Sequence, residues 1–111
     1  MNLGKRTHIL ETIRNKTAII GIGETRYYRH GKSPDSEFQM ALEAILLAAR
    51  DAELDPRNID GITSFSNDRN DPPRIASALG MKDLAFSNMF WGGGGGGGSG
   101  ALANAVAAVA A

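Results

Sequence analysis

The sequence predicts an α/β fold, in which a sheet is covered by helices on its faces. Three observations carry this. Short β-branched or mixed apolar runs alternate with stretches of helical periodicity, in the order strand, helix, strand, short helix, strand, helix. Glycine, proline and acidic residues punctuate the boundaries. The last eleven residues, ALANAVAAVAA from Ala101 to Ala111, carry no charge and read as a helix that is apolar nearly all round. Such a helix belongs inside a core larger than these 111 residues can build, so the domain is expected to extend past Ala111 and the fold to be cut within that helix.

The elements follow in order. Residues 1–16 mix Lys5, Arg6, Glu11 and Arg14 with scattered apolar residues, which predicts a flexible arm and no secretory signal. From Thr17 to Gly23 the run TAIIGIG is β-branched and closed by glycine, the pattern of a buried strand. Glu24 to Lys32 is polar and aromatic and should be a loop. Ser33 to Glu37 (SPDSE) is a helix start, with a hydroxyl or carboxylate cap, an early proline and acids in the first turn. Beyond Phe38, apolar residues at Ala41, Leu42, Ile45, Ala48 and Ala49 give that helix one greasy face, and 51–56 end it. Ile59 to Phe65 reads as a second strand, Asp71 to Leu79 as a short helix stopped by Gly80, and Leu84 to Asn88 as a third strand. Ser99 is the natural N-cap of the final helix.

Composition excludes several functions. Twelve Lys+Arg balance twelve Asp+Glu, so no broad nucleic-acid footprint is expected. With no cysteine, disulfides, zinc–thiolate sites and thiol nucleophiles are absent from these residues. His8 and His30 are too few for a metal site without a carboxylate cluster. No apolar run reaches the ~20 residues of a membrane helix, and a cytoplasmic location is expected.

Two glycine patterns invite a nucleotide-binding reading, and both fail on their residues. After Gly21 and Gly23, a dinucleotide fingerprint would place a third glycine where Arg26 stands, with a helix beginning at once. After the seven glycines Gly92 to Gly98, a phosphate loop would need a lysine, and Ser99 follows instead. Each ordered glycine costs about 0.5–1 kcal/mol relative to alanine. Such a run fits backbone that must approach a ligand or a partner subunit closely, just ahead of a helix N-terminus; structural packing is the competing reading. A plain linker fits less well, because Phe90, Trp91 and an apolar helix bracket the run.

Taken together, these segments resemble the thiolase superfamily, in particular the acetyl-CoA acetyltransferase-like proteins of the sterol-carrier-protein type. Ala18 to Tyr28 (AIIGIGETRYY) resembles that family's opening strand and loop. Ala41 to Ala44, Ala49 to Leu54 and Ile59 to Gly61 resemble its pattern of a helix closing on Asp-Ala-Gly-Leu and then Asp-Ile-Asp-Gly. The glycine run with Ser99, Gly100 and Ala101 resembles the stretch around the family's nucleophile. The resemblance covers 17–111, which it implies is the incomplete N-terminal part of a thiolase-type βαβαβ layered domain. In the family pattern Cys-Ala-Ser-Gly the cysteine opens a buried helix, whose N-terminus favours a thiolate ready to accept an acyl group. Here Gly97 stands at that position.

Without a thiolate no acyl-enzyme forms at position 97. The resemblance then implies a substrate that is a coenzyme A thioester, with no other cofactor and no metal, and backbone contacts to it at Gly97, Gly98 and Ser99. Trp91 either gates the acyl pocket or packs against the sheet or a dimer interface. Relatives lacking the cysteine resemble aldolases acting on steroid side chains, often with a small OB-fold partner, and the family implies a homodimer with the third strand near its interface. Retro-aldol cleavage of a β-hydroxyacyl-CoA is the leading expectation, since it needs a base and enolate stabilisation but no covalent intermediate. A non-catalytic acyl-CoA-binding or scaffold subunit is the first alternative. An acyltransferase using Ser99 as nucleophile is the second. Arg26, Tyr27, Tyr28 and His30 form either a substrate entrance or, more simply, a solvated loop. These 111 residues alone are expected to be inactive.

Overall fold

The computed structural model describes residues 12–65, 69–92 and 94–111. Helix α1 (Glu37–Asp51) begins where Ser36 accepts a hydrogen bond from the Gln39 backbone N–H at 3.1 Å. That side-chain oxygen satisfies one of the donors that every helix start leaves open. Glu37 in its first turn and Arg50 in its last complement the helix dipole. Ser33, three residues earlier, accepts instead from the Asp35 backbone N–H at 3.1 Å and so shapes the turn ahead of the helix.

A short 3₁₀ turn, Pro56–Asn58, follows. Its cap, Asp55, accepts from the Arg57 backbone N–H at 2.9 Å and pairs with the Arg57 guanidinium at 2.8 Å. Strand β1 (Gly61–Phe65), helix α2 (Pro72–Leu79) and strand β2 (Phe86–Phe90) then form a strand–helix–strand unit. Gly80 closes α2 in the left-handed conformation, φ 68°, which carries no steric cost without a Cβ. The two strands run parallel, with Gly61 opposite Phe86 and Phe65 opposite Phe90. Their first residues are tied through Asp60, whose carbonyl accepts from the Ala85 and Phe86 backbone N–H groups at 2.7 and 3.2 Å. A second 3₁₀ turn (Gly94–Gly96) leads into helix α3 (Gly97–Ala110).

Alternation along β1 places the helices. Phe65 meets Gly97 of α3, while its neighbour Ser64 borders a cleft formed with Ala41, Ile45 and Ile75 of α1 and α2. Successive strand residues point to opposite faces, so α3 covers one face of the sheet and α1 with α2 the other. Arg74 of α2 lies 3.9 Å from the centroid of the Phe38 ring on α1, joining those two helices. Among the described residues the buried hydrophobic core is small: Ala49, Ile75, Ala76 and Ala101.

The α/β class holds, but one expected strand is absent and three elements start elsewhere than expected, β1 at Gly61 rather than Ile59 among them. The 17–23 run is not a strand: it lies on α1 as extended chain without a ladder partner among the described residues. Ile19, Ile20 and Ile22 are 71, 68 and 76 % exposed, so the expected burial is not found. A β-branched run becomes a strand only when another backbone pairs with it, and here its glycines fix it differently. A Cβ on Gly21 would stand 2.5 Å from the Ala48 carbonyl oxygen, and one on Gly23 would overlap the Ala44 and Ala48 backbone. The Ile22 N–H donates to Asp51 at 3.0 Å. The third predicted strand shifts two residues onward, to Phe86–Phe90. The final helix opens at Gly97 with Gly96 as cap residue, so Ser99 is inside the helix and is not its N-cap. Gly94 to Gly98 of the glycine run are correspondingly a 3₁₀ turn and a helix start. Most of the expected N-terminal arm, residues 1–11, lies outside the described residues; 12–16 form a turn closed by Lys16 N–H to Ile13 carbonyl at 3.1 Å.

Two predictions follow from this packing. Replacing Gly23 with alanine forces backbone apart from backbone and should destabilise the protein by about 1–3 kcal/mol, the usual cost of overpacking, read by urea denaturation. Asp55 should titrate with a midpoint of about 2, because the Arg57 side chain and backbone N–H bond its charged form. A carboxyl depressed in the folded state stabilises above its unfolded value of 3.8, and that contribution is lost as pH falls from 3.8 through about 2. Carboxyl-carbon NMR checks the midpoint, and Asp55→Asn should remove this acid-side dependence.

Candidate functional site at the carboxyl ends of the strands

In open parallel α/β sheets ligands bind beyond the carboxyl ends of the strands, where helix N-termini converge. Here those ends are Phe65 and Phe90, register partners on adjacent strands. Helix α3 starts directly over them. A Cβ on Gly97 would overlap the Cδ2, Cε2 and Cζ atoms of the Phe65 ring. A Cβ on Gly100 would stand 2.7–2.8 Å from the corresponding atoms of Phe90. Three residues apart, Gly97 and Gly100 lie on one helix face, and two rings fill the space their missing side chains leave. The first turn of α3 has no side-chain cap hydrogen bond. One more contact seats the helix: the Asn104 side-chain amide of α3 donates to Asn88 Oδ1 of β2 in a half-buried position.

The expected site residues divide here. Gly97 is buried under Phe65, whereas Gly98 and Ser99 are exposed on the same first turn. Ser99 has no histidine, lysine or carboxylate hydrogen-bonded to it among the described residues, as an activated nucleophile would require. Trp91 is 75 % exposed just after β2, so packing against the sheet is not its role in this structure. Phe65 and Phe90 were not singled out by the sequence. A signal existed: each strand ends on an aromatic residue, and the helix after the glycine run carries glycines three positions apart.

The polar loop after 17–23 forms a second concavity, separate from the first. Arg26, Tyr27, Tyr28 and His30 line a cleft of about 480 Å³ with Asp35 and Met40. Tyr27 is 81 % exposed and donates its hydroxyl to Glu24, which holds that phenol above its ordinary pKa through the hydrogen bond and the neighbouring negative charge. This is the solvated-loop arrangement. Among the described residues no group of three or more His, Cys, Asp or Glu could hold a metal ion. No helix among them is long and apolar enough to cross a membrane.

Comparison with known proteins points to one kind of chemistry. No protein-family model matches the chain. Over 82 residues it is 39 % identical to the 17-hydroxy-3-oxo-4-pregnene-20-carboxyl-CoA lyase of Mycobacterium tuberculosis, covering 73 % of this chain and 21 % of that protein. Over 85 residues it is 36 % identical to the steroid side-chain-cleaving aldolase of Thermomonospora curvata, covering 76 % of this chain and 21 % of that one. Among solved structures it superimposes on a chain of the Ltp2-ChsH2(DUF35) aldolase with a TM-score of 0.68 and 36 % identity, covering 85 % of this chain and 25 % of that one. The chain thus spans about a fifth of the length of the curated relatives it matches.

The Asn88–Asn104 bond gives this site its prediction. Asn104→Ala leaves the Asn88 carbonyl half-buried without its donor, and should cost about 1 kcal/mol of stability in a thermal or urea melt. Replacing both with alanine should cost less than the sum of the two single changes.

Proposed function

We propose that this chain is the N-terminal part of a thiolase-like, acyl-CoA-processing protein that cleaves a carbon–carbon bond by a retro-aldol route. One observation carries the reading: position 97, at the start of α3 and at the carboxyl ends of both strands, has no side chain and no room for one. A covalent acyl-enzyme needs a nucleophile there. A retro-aldol cleavage needs none. The similarity to a carboxyl-CoA lyase and to a side-chain-cleaving aldolase supports the same choice, and favours a β-hydroxyacyl-CoA on a steroid skeleton as the substrate class.

The chemistry assigns work to few groups. A base removes the proton from the β-hydroxyl oxygen. The bond between the α and β carbons breaks, leaving a ketone or aldehyde on one side and the thioester enolate on the other. The enolate takes a proton at its α carbon and leaves as a shorter acyl-CoA. The N–H groups in the first turn of α3, at Gly98 and Ser99, to which no cap side chain bonds, suit the developing negative charge on the thioester oxygen, with the positive end of the helix behind them. The base comes from outside these residues. Superposition on a chain of the Ltp2-ChsH2(DUF35) aldolase supports a second subunit in the working assembly. We assign that role to a small OB-fold partner on a homodimeric, cytoplasmic core.

The test uses the full-length protein with and without its partner. Incubation with a steroid β-hydroxyacyl-CoA should release a ketone and a shorter acyl-CoA in equal amounts by mass spectrometry, with no free CoA consumed. CoA-dependent cleavage of a β-ketoacyl-CoA would overturn the lyase reading in favour of acyl transfer. Tight acyl-CoA binding with no turnover of either substrate would leave a scaffold subunit.

A further inference from the structure

We propose that Phe65 decides which chemistry this site can run: its ring fills the space beside the Gly97 Cα, keeps position 97 without a side chain, and so holds the reaction non-covalent. This rests on the acyl-CoA reading above and extends it to a residue outside the glycine run.

The glycine run itself contains a contrast. A Cβ added at Gly92, Gly94, Gly95, Gly96 or Gly98 would meet nothing within 4 Å. Sterically, those positions could carry a side chain, although Gly92 and Gly94 also use positive φ angles of 78° and 50°. Gly97 differs. It is buried, and three atoms of one ring stand where its Cβ would go. Among the described glycines of the run, the obstruction is therefore confined to the position at which the resemblance puts a nucleophile.

The ring is also held in place. Phe65 is the last residue of β1, paired in register with Phe90, whose own ring lies over Gly100 one helical turn along. Its chain neighbour Ser64 is buried on the opposite face of the sheet, 8 % exposed, which anchors the backbone from behind. A side chain at 97 would have to push the ring out of this row or lift the start of α3 from the sheet. Either movement disturbs the helix turn whose N–H groups the reaction uses. Glycine at 97 and phenylalanine at 65 are thus one feature, and a single substitution cannot restore a nucleophile.

Relieving the ring should restore one. In Phe65→Ala/Gly97→Cys the new thiol would sit at a helix N-terminus, where the thiolate is favoured. It would attack the thioester carbonyl carbon of an acyl-CoA. The acyl carbon would bond to the protein sulfur, its bond to the CoA sulfur would break, and CoA would leave as a thiolate that takes a proton from solvent.

The experiment compares full-length wild type, Gly97→Cys, Gly98→Cys, Phe65→Ala/Gly97→Cys and the milder Phe65→Leu/Gly97→Cys. Three readouts are taken: thermal melting, the iodoacetamide labelling rate of the peptide containing position 97 or 98, and the mass of that peptide after incubation with acetyl-CoA. Gly98→Cys should melt like wild type. Gly97→Cys should melt lower and label slowly or fail to fold, and the double variants should recover the melting temperature. Their labelling should be at least about tenfold faster than in the single variant, as expected for an accessible thiolate, and they should gain one acetyl group. If Gly97→Cys melts and labels like the double variants, or neither change at Phe65 rescues it, the ring is not the obstacle and the proposal falls. If the double variants label fast but take up no acetyl group, Phe65 is a packing residue only and the proposal also falls. In either case wild-type cleavage of a β-hydroxyacyl-CoA reports separately on the lyase reading.

Discussion

The contact on which the rest of the structure depends is that of two phenylalanine rings on two helical glycines. Phe65 lies on Gly97 and Phe90 on Gly100, and this joins the carboxyl ends of both strands to the first turn of α3. Glycine in a helix is unfavourable by about 0.5–1 kcal/mol against alanine. Covering a phenylalanine gains about 1.5–3 kcal/mol when burial is complete, and proportionately less for these half-buried rings. The two effects are of one size, so each glycine is tolerated because a ring occupies its place. The helix axis is brought close to the sheet by the same exchange. That closeness puts the uncapped N-terminus of α3 beside the strand ends.

A small core makes this arrangement matter more. Among the described residues the buried hydrophobic core is three alanines and one isoleucine, and large apolar residues such as Ile19, Ile22, Leu102 and Val109 remain exposed. Directional contacts therefore carry much of the placement: the Asp60 carbonyl joining the strand starts, the Asn104–Asn88 bond, and Arg74 over Phe38. The segment 17–23 shows the same economy on the other side. It is fixed to α1 by glycines that admit no Cβ and by one hydrogen bond to Asp51, while its isoleucines face outward.

Residues whose placement depends on local rules were legible in the sequence. Helix α1 has its hydroxyl cap, first-turn acid and apolar face in nearest-neighbour spacing, and α2 has its early prolines and left-handed Gly80. What depends on a partner was not legible. The β-branched run 17–23 satisfies every strand preference, yet a strand exists only through a second backbone, and no composition supplies one. Ser99 has the chemistry of a cap, but caps are chosen by where the helix geometry begins. The ring beneath Gly97 and the free turn before it let the helix begin two residues earlier. At the site, the absence of any cysteine was visible in the sequence, whereas the ring that fills the space beside Gly97 lies 32 positions away at Phe65, since 97 less 65 is 32.

That distance bears on how one scaffold divides between two reactions. A helix N-terminus over the end of a parallel sheet offers the same partial positive charge whether the incoming group is to be attacked or merely polarised. The difference is made by what stands beside the first buried residue of the helix. With a thiolate there, the thioester carbonyl becomes an electrophile for the protein. With a ring there, the carbonyl meets only N–H groups, and charge can develop on its oxygen only if a bond breaks elsewhere in the substrate. Retro-aldol cleavage is such a reaction, because the electrons released from the broken carbon–carbon bond are delivered to that oxygen. On the proposed retro-aldol reading, Phe65 therefore does more than fill the space beside Gly97: by denying the protein a bond to the carbonyl carbon, it would leave enolate formation as the chemistry for which the helix turn is suited.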